Sequence, residues 1–529
     1  MKSLSKLLTL SRIIVLILLL ALSVSIISCA DNNSQDENKT AGDIPSNGDN
    51  SADPLKEELK SPVPDNLKFD GYKVRFLVYY PEYGADGSLD PARATITRAE
   101  EAAGDVVFEA IYKRNIEVQE KFNVTFDFTY LPTGADGDTY SNQTISTSVR
   151  SNSDDFDIVL GMQFQCVQLV TGGVFKNIID LPYLDITNPW WATQYINDLT
   201  IGKDTLLYVT GDISLGWLSR LSTMYFSKDL YAANFDDPDG LYKLVLEGNW
   251  TMDAFNNMIK GMYKDLDGDG EASDGDQYGM ITHTISPTDH FTYASGFRAT
   301  ARDEDGFPYF VIDSEKTVRF VEKLHEIFFN NAGSFIVPSS HARFNDTGNG
   351  NIFTDKFVAK EVLFRPDTLG GSEALRNMET DFGMIPFPKL DLNEPTYLAL
   401  VHDTAPLMCV PTTSSNNELV GAILEEMAYK GYVHMTPSYF DVALKAKYMR
   451  DSDDVAMQCV DIIRENSISD FAYIYNYALK KDRSTFTNHI GLIVRDIMGA
   501  RSSNFASYWD RVSGVAEANL QKLIEAYMG

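Results

Sequence analysis

Residues 72–80 read YKVRFLVYY and open the globular part of the chain. Their β-branched and aromatic side chains predict a strand that ends at Pro81. Residues 105–122 follow with apolar side chains at helical spacing on one face and charged side chains on the other, which predicts an amphipathic helix. Residues 124–130 then alternate apolar and polar side chains, as in a strand with one solvated face. The order strand, helix, strand is typical of an α/β layer on a largely parallel sheet.

The same alternation of elements restarts after Gly211. In the first part, FDIVLG at 156–161 and the segment 206–209 predict two more short strands. The second part contains a predicted strand at 222–226, helices at 250–263 (with Thr251 as N-cap) and 315–329, strands at 361–364 and 382–386, an apolar run at 407–410 and a mainly helical region from 417 to the end. Strands that recur after a complete second unit indicate that the chain returns to its first half.

We therefore expect an α/β fold of two discontinuous lobes with a central cleft between them and a helical C-terminal part. Several crossings between lobes would permit hinge closure. The predicted division is a signal peptide at 1–28, a lipidated cysteine and flexible tether at 29–66, lobe 1 at 67–210 plus 360–410, and lobe 2 at 211–359 plus 411–529.

The amino-terminal segment has the pattern of a lipoprotein leader. Three cations precede a nearly unbroken apolar stretch at 13–27, and Ser28 and Cys29 follow this stretch directly. A membrane-spanning helix is the alternative, but a short apolar core that ends at a lone cysteine and is followed by a polar tail favours cleavage and lipidation. Residues 31–66 are rich in Asn, Asp, Ser, Gly and Pro, which indicates a flexible tether. The sequence predicts a protein on the extracellular face of the cell membrane, held there by a lipid anchor on Cys29.

The formal net charge of −30 restricts the possible partners. Nucleic acid and anionic lipid both require a positive surface, so we predict neither as the ligand, and we expect a monomer. Cys166, Cys409 and Cys459 lack metal-ligand spacing, and they indicate buried thiols or at most one disulfide bridge.

Residues 265–276 read DLDGDGEASDGD, which has the spacing of a calcium loop. Gly270 falls where such loops turn sharply, whereas the last position carries Asp in place of the usual Glu. An acidic turn that binds no metal is the alternative. The predicted structural Ca²⁺ ligands are Asp265, Asp267, Asp269, Glu271, Ser273 and Asp276, and no organic cofactor is predicted.

The sequence shows no catalytic signature, such as a Gly-x-Ser-x-Gly elbow, a His-Glu-x-x-His motif or a Walker loop, so we predict no enzyme. Aromatic residues are frequent instead, including Trp190 and Trp191 in NPWW, and Tyr432. Aromatic faces stack on sugar rings, while Asp, Asn and Gln bind sugar hydroxyls, although core packing is the commoner role of a single aromatic residue. Tyr79 and Tyr80 end the first predicted strand, and Gln163 follows the predicted strand at 156–161. Ligands of open α/β sheets bind beyond such strand ends.

Several motifs together resemble the extracellular solute-binding proteins of family 1, the lipoprotein receptors of sugar-importing ABC transporters, similar in plan to maltose-binding protein. These motifs are the lipobox and tether, FDIVLG, LPYL followed by NPWW, LYVTGDIS, MYFSKDLY, NWTMDAF, DLDGDGEASDGDQYGM and DFGMIPFPKLD. The resemblance covers essentially the whole chain after the leader. It implies two α/β lobes, three crossings and a ligand between the lobes, and it makes the region of Asp212, Trp217 and Trp509 candidate cleft material.

The expected function is therefore capture of a sugar or oligosaccharide between two lobes and its delivery to an ABC permease. Two alternatives remain open at this point: a cell-surface glycan-degrading enzyme, and a binding protein for peptides or another small solute.

Overall fold

The computed structural model describes residues 59–79, 106–131, 135–235, 237, 239–312, 314–344, 351–375, 378, 381–440, 454–479 and 490–528. The leader, Cys29 and Tyr80 lie outside these residues, so the signal peptide and the lipidation site stay predictions. No helix of the described part is both long enough and apolar enough to cross a membrane.

Short strands are spread along the whole described chain. They are β1 (Tyr72–Tyr79), β2 (Val124–Tyr130), β3 (Ile158–Met162), β4 (Ser222–Ser227), β5 (Tyr278–Thr282), β6 (Thr300–Arg302), β7 (Pro308–Phe310), β8 (Ser334–Ile336), β9 (Val362–Thr368), β10 (Phe382–Ile385), β11 (Ala399–Leu400), β12 (Pro406–Cys409) and β13 (Ser467–Ile468).

Helices separate these strands and dominate the last quarter of the chain. They are α1 (Val106–Phe122), α2 (Ala135–Arg150), α3 (Gln163–Cys166), α4 (Thr193–Leu199), α5 (Leu215–Ser219), α6 (Lys228–Ala232), α7 (Gly240–Leu246), α8 (Met252–Lys260), α9 (Ser286–Ala294), α10 (Ser314–His325), α11 (Ile352–Val358), α12 (Asn417–Lys430), α13 (Asp454–Glu465), α14 (Phe471–Ile474), α15 (Asn476–Leu479), α16 (Ile493–Gly499) and α17 (Phe505–Met528). Short 3₁₀ segments lie at Val167–Gly172 and Leu369–Leu375, and π-helical turns at Glu326–Asn330 and Gly431–Met435.

The first sheet has the strand order β12-β3-β1-β2. β1 is parallel to both β2 and β3, whereas β12 is antiparallel to β3. The prediction of a largely parallel sheet in the first part is thus confirmed. The strand predicted at 206–209 is reduced to a single bridge between Val209 and Met408.

The second sheet has the order β10-β4-β9-β5-β8 and corrects the predicted lobe boundaries. β9 pairs with β4 and β5, and β10 pairs with β4, so the assignment of residues 360–410 to lobe 1 is wrong for both strands. Only β12 returns to the first sheet. α12 packs against α1 of the first lobe, so the assignment of residues 411–529 to lobe 2 is also wrong at its start.

Within its described residues, the chain passes between the two sheets three times: after residue 210, between β10 and β12, and between α12 and α13, which packs against β10. The predicted pattern of two discontinuous lobes is therefore confirmed, although the boundaries differ. The lobe predictions failed because burial patterns show which faces are apolar but not which strand pairs with which.

α1 confirms the predicted helix but not all of its faces. Ile111, Val118 and Phe122 are buried as expected. Arg114, predicted on the charged outer face, is fully buried, and its Nη1 donates to the carbonyl oxygen of Ile213 at 2.6 Å. A buried guanidinium needs hydrogen-bond acceptors, and the distant carbonyl of Ile213 provides one. The local pattern of polar residues does not show this partner.

The predicted tether ends earlier than residue 66. Val63 is buried in the core that covers one face of the first sheet. Lys121 Nζ donates to the carbonyl oxygen of Val63 at 3.0 Å and also contacts the Glu426 carboxylate at 2.8 Å. These contacts attach the segment before β1 to α1 and α12, so a flexible tether up to 66 is wrong for its last residues.

The remaining local predictions fit well. Thr251 caps α8, because its Oγ1 accepts from the N–H of Ala254 at 3.2 Å. Cys166, Cys409 and Cys459 are buried, and none of them forms a disulfide within the described chain.

Candidate ligand-binding cavity

A cavity of about 580 Å³ lies between elements of the two lobes. One wall consists of Pro189, residues 191–194 and Tyr432. Trp191 and Tyr432 of this wall pack with the first sheet. The other wall consists of Leu398 and the segment from Asp461 to Ile468, from α13 into β13. The crossing segment between the sheets contributes Asp212 and Trp217. A volume of this size suits a small organic ligand of one to a few rings.

The first wall is held by a buried carboxylate. Glu425 of α12 is fully buried and accepts from Trp190 Nε1 and Trp191 Nε1, each at 2.9 Å. Asn188 Nδ2 donates to the same carboxylate at 2.7 Å, and the N–H of Asp185 donates at 3.2 Å. Four donors on one carboxylate fix the NPWW segment, and with it the position of Trp191 at the cavity.

Two glycines allow the backbone around Asp212 to pack closely. A Cβ on Gly211 would lie 2.3 Å from the carbonyl oxygen of Trp190, and a Cβ on Gly431 would lie 1.7 Å from that of Asp212. The N–H of Asp212 also donates to the carbonyl oxygen of Trp190 at 2.8 Å. Only glycine fits at these two positions without displacing the chain.

Asp212 is the most unusual titratable group in the cavity. It is almost fully buried, its Oδ1 accepts from Trp217 Nε1 at 3.4 Å, and its Oδ2 lies 3.5 Å from Arg464 Nη2. Burial raises the pKa of the Asp212 carboxyl to about 6, and the Arg464 guanidinium opposes this shift. Burial dominates because Arg464 is partly solvated and the contact is long.

The rest of the lining combines aromatic surface with polar groups at the rim. Trp191 and Trp217 are largely buried and border the interior, while Gln194, Asp461 and Glu465 are exposed. Carboxylates and amides accept and donate hydrogen bonds to hydroxyl groups, and aromatic side chains supply apolar contact. This combination suits an uncharged, hydroxyl-rich molecule.

Two of the predicted ligand candidates, Asp212 and Trp217, come together in this cavity. Gln163 does not line it: the side chain is buried, and its Oε1 accepts from the hydroxyl of Tyr195. Tyr79 ends β1, but its side chain is not described, and Tyr80 lies outside the described residues. Trp509 lies in α17 against Phe310, with ring centroids 5.9 Å apart, and does not line the cavity.

Sequence reasoning noted Trp191 and Tyr432 as aromatic residues but did not select them, and it missed Arg464 and Asp461 entirely. The NPWW motif was a usable signal for Trp191, because adjacent Trp residues rarely both fit a core without a partner for each indole N–H. Arg464 and Asp461 lie on a helix face that no local pattern distinguishes from a solvated one.

The acidic loop brings together three of its six predicted ligands. Asp265, Asp267 and Asp269 each place one carboxylate oxygen within 4.8 Å of the others. Asp276 is turned away and fully buried: it accepts from the N–H of Leu266 at 3.0 Å and from that of Ser273 at 2.9 Å.

The remaining two predicted ligands are Ser273 and the backbone carbonyl oxygen of Glu271. Ser273 donates through Oγ to Asp267 at 3.2 Å, and the role of the Glu271 carbonyl stays a prediction. The hydrogen bond from Ser273 N–H is the main reason that the pKa of Asp276 is lowered. Asp276 therefore closes the loop through backbone contacts.

No protein-family model matches the chain, and no curated protein is similar to it in sequence. Solved structures are similar to it. A structure of UgpB from Mycobacterium tuberculosis in complex with glycerophosphocholine has a TM-score of 0.50 at 10% identity, covering 81% of this chain and 100% of that one. The GacH receptor of Streptomyces glaucescens, studied with acarbose, has a TM-score of 0.49 at 13% identity, covering 86% and 99%. A cyclo/maltodextrin-binding protein complexed with maltotetraose has a TM-score of 0.49 at 11% identity, covering 87% and 97%. The similarity to UgpB shows a shared fold, and together with the two sheets joined by chain crossings it confirms the predicted two-lobe α/β fold class.

The substitution Asp212→Asn should stabilise the protein at neutral pH. The folded-state pKa of about 6 exceeds the ordinary value of 3.8, so the folded protein favours the neutral carboxyl. The neutral carboxyl therefore contributes its full stabilisation to the folded wild-type protein below pH 4, and this stabilisation is lost as the pH rises to 6. Denaturant unfolding of the wild-type protein and the variant should give equal free energies of unfolding at pH 4. At pH 7 the free energy of unfolding of the variant should be higher by about 3 kcal/mol. A difference in unfolding free energy that stays constant from pH 4 to pH 7 would show that burial does not raise the pKa of Asp212.

Proposed function

We propose that this protein is a membrane-tethered extracellular solute-binding protein that captures a sugar or oligosaccharide in the cavity around Asp212 and Trp217 and delivers it to an ABC permease. The observation that carries the proposal is the position of this cavity. Elements of both lobes form its walls, and the crossing segment between the lobes contributes to its lining.

The chemistry of the lining favours a hydroxyl-rich cargo. Trp191, Trp217 and Tyr432 offer aromatic surface, while Asp461 and Glu465 offer carboxylate acceptors at the rim. Above pH 6 the Asp212 carboxylate is charged and accepts hydrogen bonds from ligand hydroxyls. Such bonds offset the cost of burying this charge, so ligand and carboxylate stabilise each other.

Capture followed by delivery requires a change between an open and a closed form. A ligand that contacts residues 189–194 on one side and residues 461–468 on the other favours the form in which both walls are close. The closed form then docks on the permease as a monomer, and no bond in the cargo changes. The two-lobe fold supports this mechanism, because lobes joined by chain crossings move as hinged bodies.

We further propose that lipid on Cys29 tethers the protein. The support is the lipobox pattern in the sequence. Wild-type protein should partition into the membrane fraction and carry an acylated amino-terminal cysteine by mass spectrometry, whereas Cys29→Ser should lose both properties. Equal membrane association of the two proteins would favour a retained membrane helix.

Sugar binding is tested by thermal unfolding of the mature protein with a panel of mono- and oligosaccharides. A ligand at roughly 100 times its Kd should add about 2.7 kcal/mol of stability. Trp217→Leu and the exposed rim variant Glu465→Ala should each weaken that ligand several-fold, to about tenfold. Trp509→Leu is the matched control, because this half-buried Trp lies outside the cavity.

Three outcomes would contradict the proposal. Stabilisation by peptides but not by sugars would identify the wrong cargo class. Release of shorter products from oligosaccharides would indicate the glycan-degrading alternative. Equal loss of affinity in Trp509→Leu and Glu465→Ala would mean that the ligand binds outside this cavity.

We also propose that the loop 265–276 binds a structural Ca²⁺ through Asp265, Asp267 and Asp269. Three exposed carboxylates this close repel one another, and a divalent cation with oxygen ligands relieves the repulsion. Asp276 supports the loop from inside and is not one of the ligands in this proposal.

Removal of calcium with a chelator should lower the melting temperature of the wild-type protein, and added Ca²⁺ should restore it. Asp267→Asn should weaken Ca²⁺ binding by about tenfold or more, since it removes one of three charged ligands. Asp305→Asn serves as a control, because this exposed carboxylate lies in a different loop. Identical melting curves with chelator and with Ca²⁺ would show that the loop is an acidic turn without a metal.

A further inference from the structure

A second cavity, of about 230 Å³, lies at the edge of the second sheet. Thr282 ends β5 and Thr368 ends the parallel strand β9, so both strands point their carboxyl ends at it. Arg220 precedes β4, whose first residue pairs with Thr368, and therefore lies at the same edge. Ligands of α/β sheets bind beyond the carboxyl ends of strands. This cavity shares no lining residue with the one around Asp212.

Several polar atoms that line this second cavity are buried without a hydrogen-bond partner. His290 is 2% exposed, and neither of its ring nitrogens has a partner within the described chain. The same holds for Nη1 of Arg365, which is 7% exposed, and for Oγ1 of Thr282. Each buried polar group without a partner costs about 1 to 3 kcal/mol, so four such atoms around one cavity indicate a ligand that satisfies them.

Two guanidinium groups line this cavity, those of Arg220 and Arg365. Asp367 is the carboxylate in the lining, and it forms an ion pair with Arg365 Nη2. A second carboxylate, that of Asp403, lies 3.2 Å from the lining residue His402. Guanidinium groups at a cavity are notable in a chain with a net charge of −30, because such a net charge repels anions at long range.

Three histidines complete the lining, and they are neutral at physiological pH. Burial lowers the pKa of His283 to about 4 and that of His402 to about 3, with neighbouring arginines adding to both shifts. Burial holds the pKa of His290 well below its usual value. A neutral imidazole has one hydrogen-bond donor and one acceptor and carries no charge. The positive charge in the lining therefore comes from the arginines, and the histidines offer directional hydrogen bonds.

These histidines do not form a metal site. Within the described chain, the side chains close enough to share a metal ion are those of Asp265, Asp267 and Asp269, and none of the three histidines is among them. Two guanidinium groups at the cavity would in addition repel a cation.

We propose that this second cavity binds a small anionic solute through its phosphate or carboxylate group. Arg365 Nη1, both ring nitrogens of His290 and Thr282 Oγ1 are the buried polar atoms without a partner in its lining. Guanidinium groups match the planar or tetrahedral oxygens of such anions. The volume exceeds that of a bare oxyanion, so the cavity accommodates a compact organic acid or phosphate ester. The proposal does not rest on sugar binding at the first cavity.

Calorimetric titration of the mature protein with inorganic phosphate, D-glucuronate and D-glucose tests this site. At least one of the two anions should bind, with an affinity that falls as NaCl is added, and D-glucose should not compete for the site. Arg365→Gln should weaken the anion at least about tenfold, because it removes a charged donor. Since Arg365 also packs over Tyr225, His290→Phe provides a second variant that keeps a ring in place.

His290→Phe has a signature that a structural histidine would not give. Without added anion it should be at least as stable as the wild type, because it removes two unpartnered buried nitrogens, yet it should lose anion affinity about tenfold. Trp509→Leu should keep wild-type affinity. Binding of phosphate alone or of glucuronate alone identifies the anion. No binding of either, equal binding of D-glucose, or unchanged affinity in both His290→Phe and Arg365→Gln would overturn the proposal.

Discussion

The buried carboxylate of Glu425 is the interaction on which the arrangement of the first cavity depends. Isolated in the core, such a group would cost several kcal/mol, and its pKa is raised by burial. The indole N–H groups of Trp190 and Trp191, the amide of Asn188 and the N–H of Asp185 offset that cost. The carboxylate and the two indole N–H groups depend on each other. Without the carboxylate the indole donors would be unpaired, and without these donors the carboxylate would be buried with too few hydrogen bonds.

This constraint reaches Asp212 through the backbone. Trp190 accepts from the N–H of Asp212, and Trp191 forms a bridge with Gly211, so the segment held by α12 also positions the crossing between the sheets. Gly431, just beyond α12, packs against the carbonyl of Asp212 from the other side. The titratable group of the cavity is therefore fixed by contacts that join parts of the chain more than two hundred residues apart. These contacts attach the crossing segment that carries Asp212 to the lobe that carries α12.

That long-range character explains what the sequence could and could not predict. The strand at 72–79, the helix at 106–122 and the cap at Thr251 were predictable because period and propensity are local properties. The pairing of β9 with β4 was not, since any buried strand satisfies the same pattern. The prediction that Arg114 lies on the exposed face was wrong for the same reason, because its partner is the carbonyl of Ile213, ninety-nine residues away. At the cavity, Asp212 and Trp217 came from a resemblance, whereas Arg464 lay on a helix that shows no local sign of its role.

The two cavities differ in the sign of their charge, and the fold keeps them apart. Around Asp212 the three lining carboxylates outnumber the single lining cation, Arg464, and two of these carboxylates are exposed at the rim. At the second sheet, Arg220 and Arg365 line the cavity together with three histidines whose pKa values are lowered chiefly by burial. Neutral histidines are able to accept as well as donate hydrogen bonds, so they complement the guanidinium donors of the same cavity. The proposed guests differ accordingly: the proposed anion at the second cavity would accept from guanidinium groups, whereas the carboxylates around Asp212 suit the proposed uncharged sugar better than an anion.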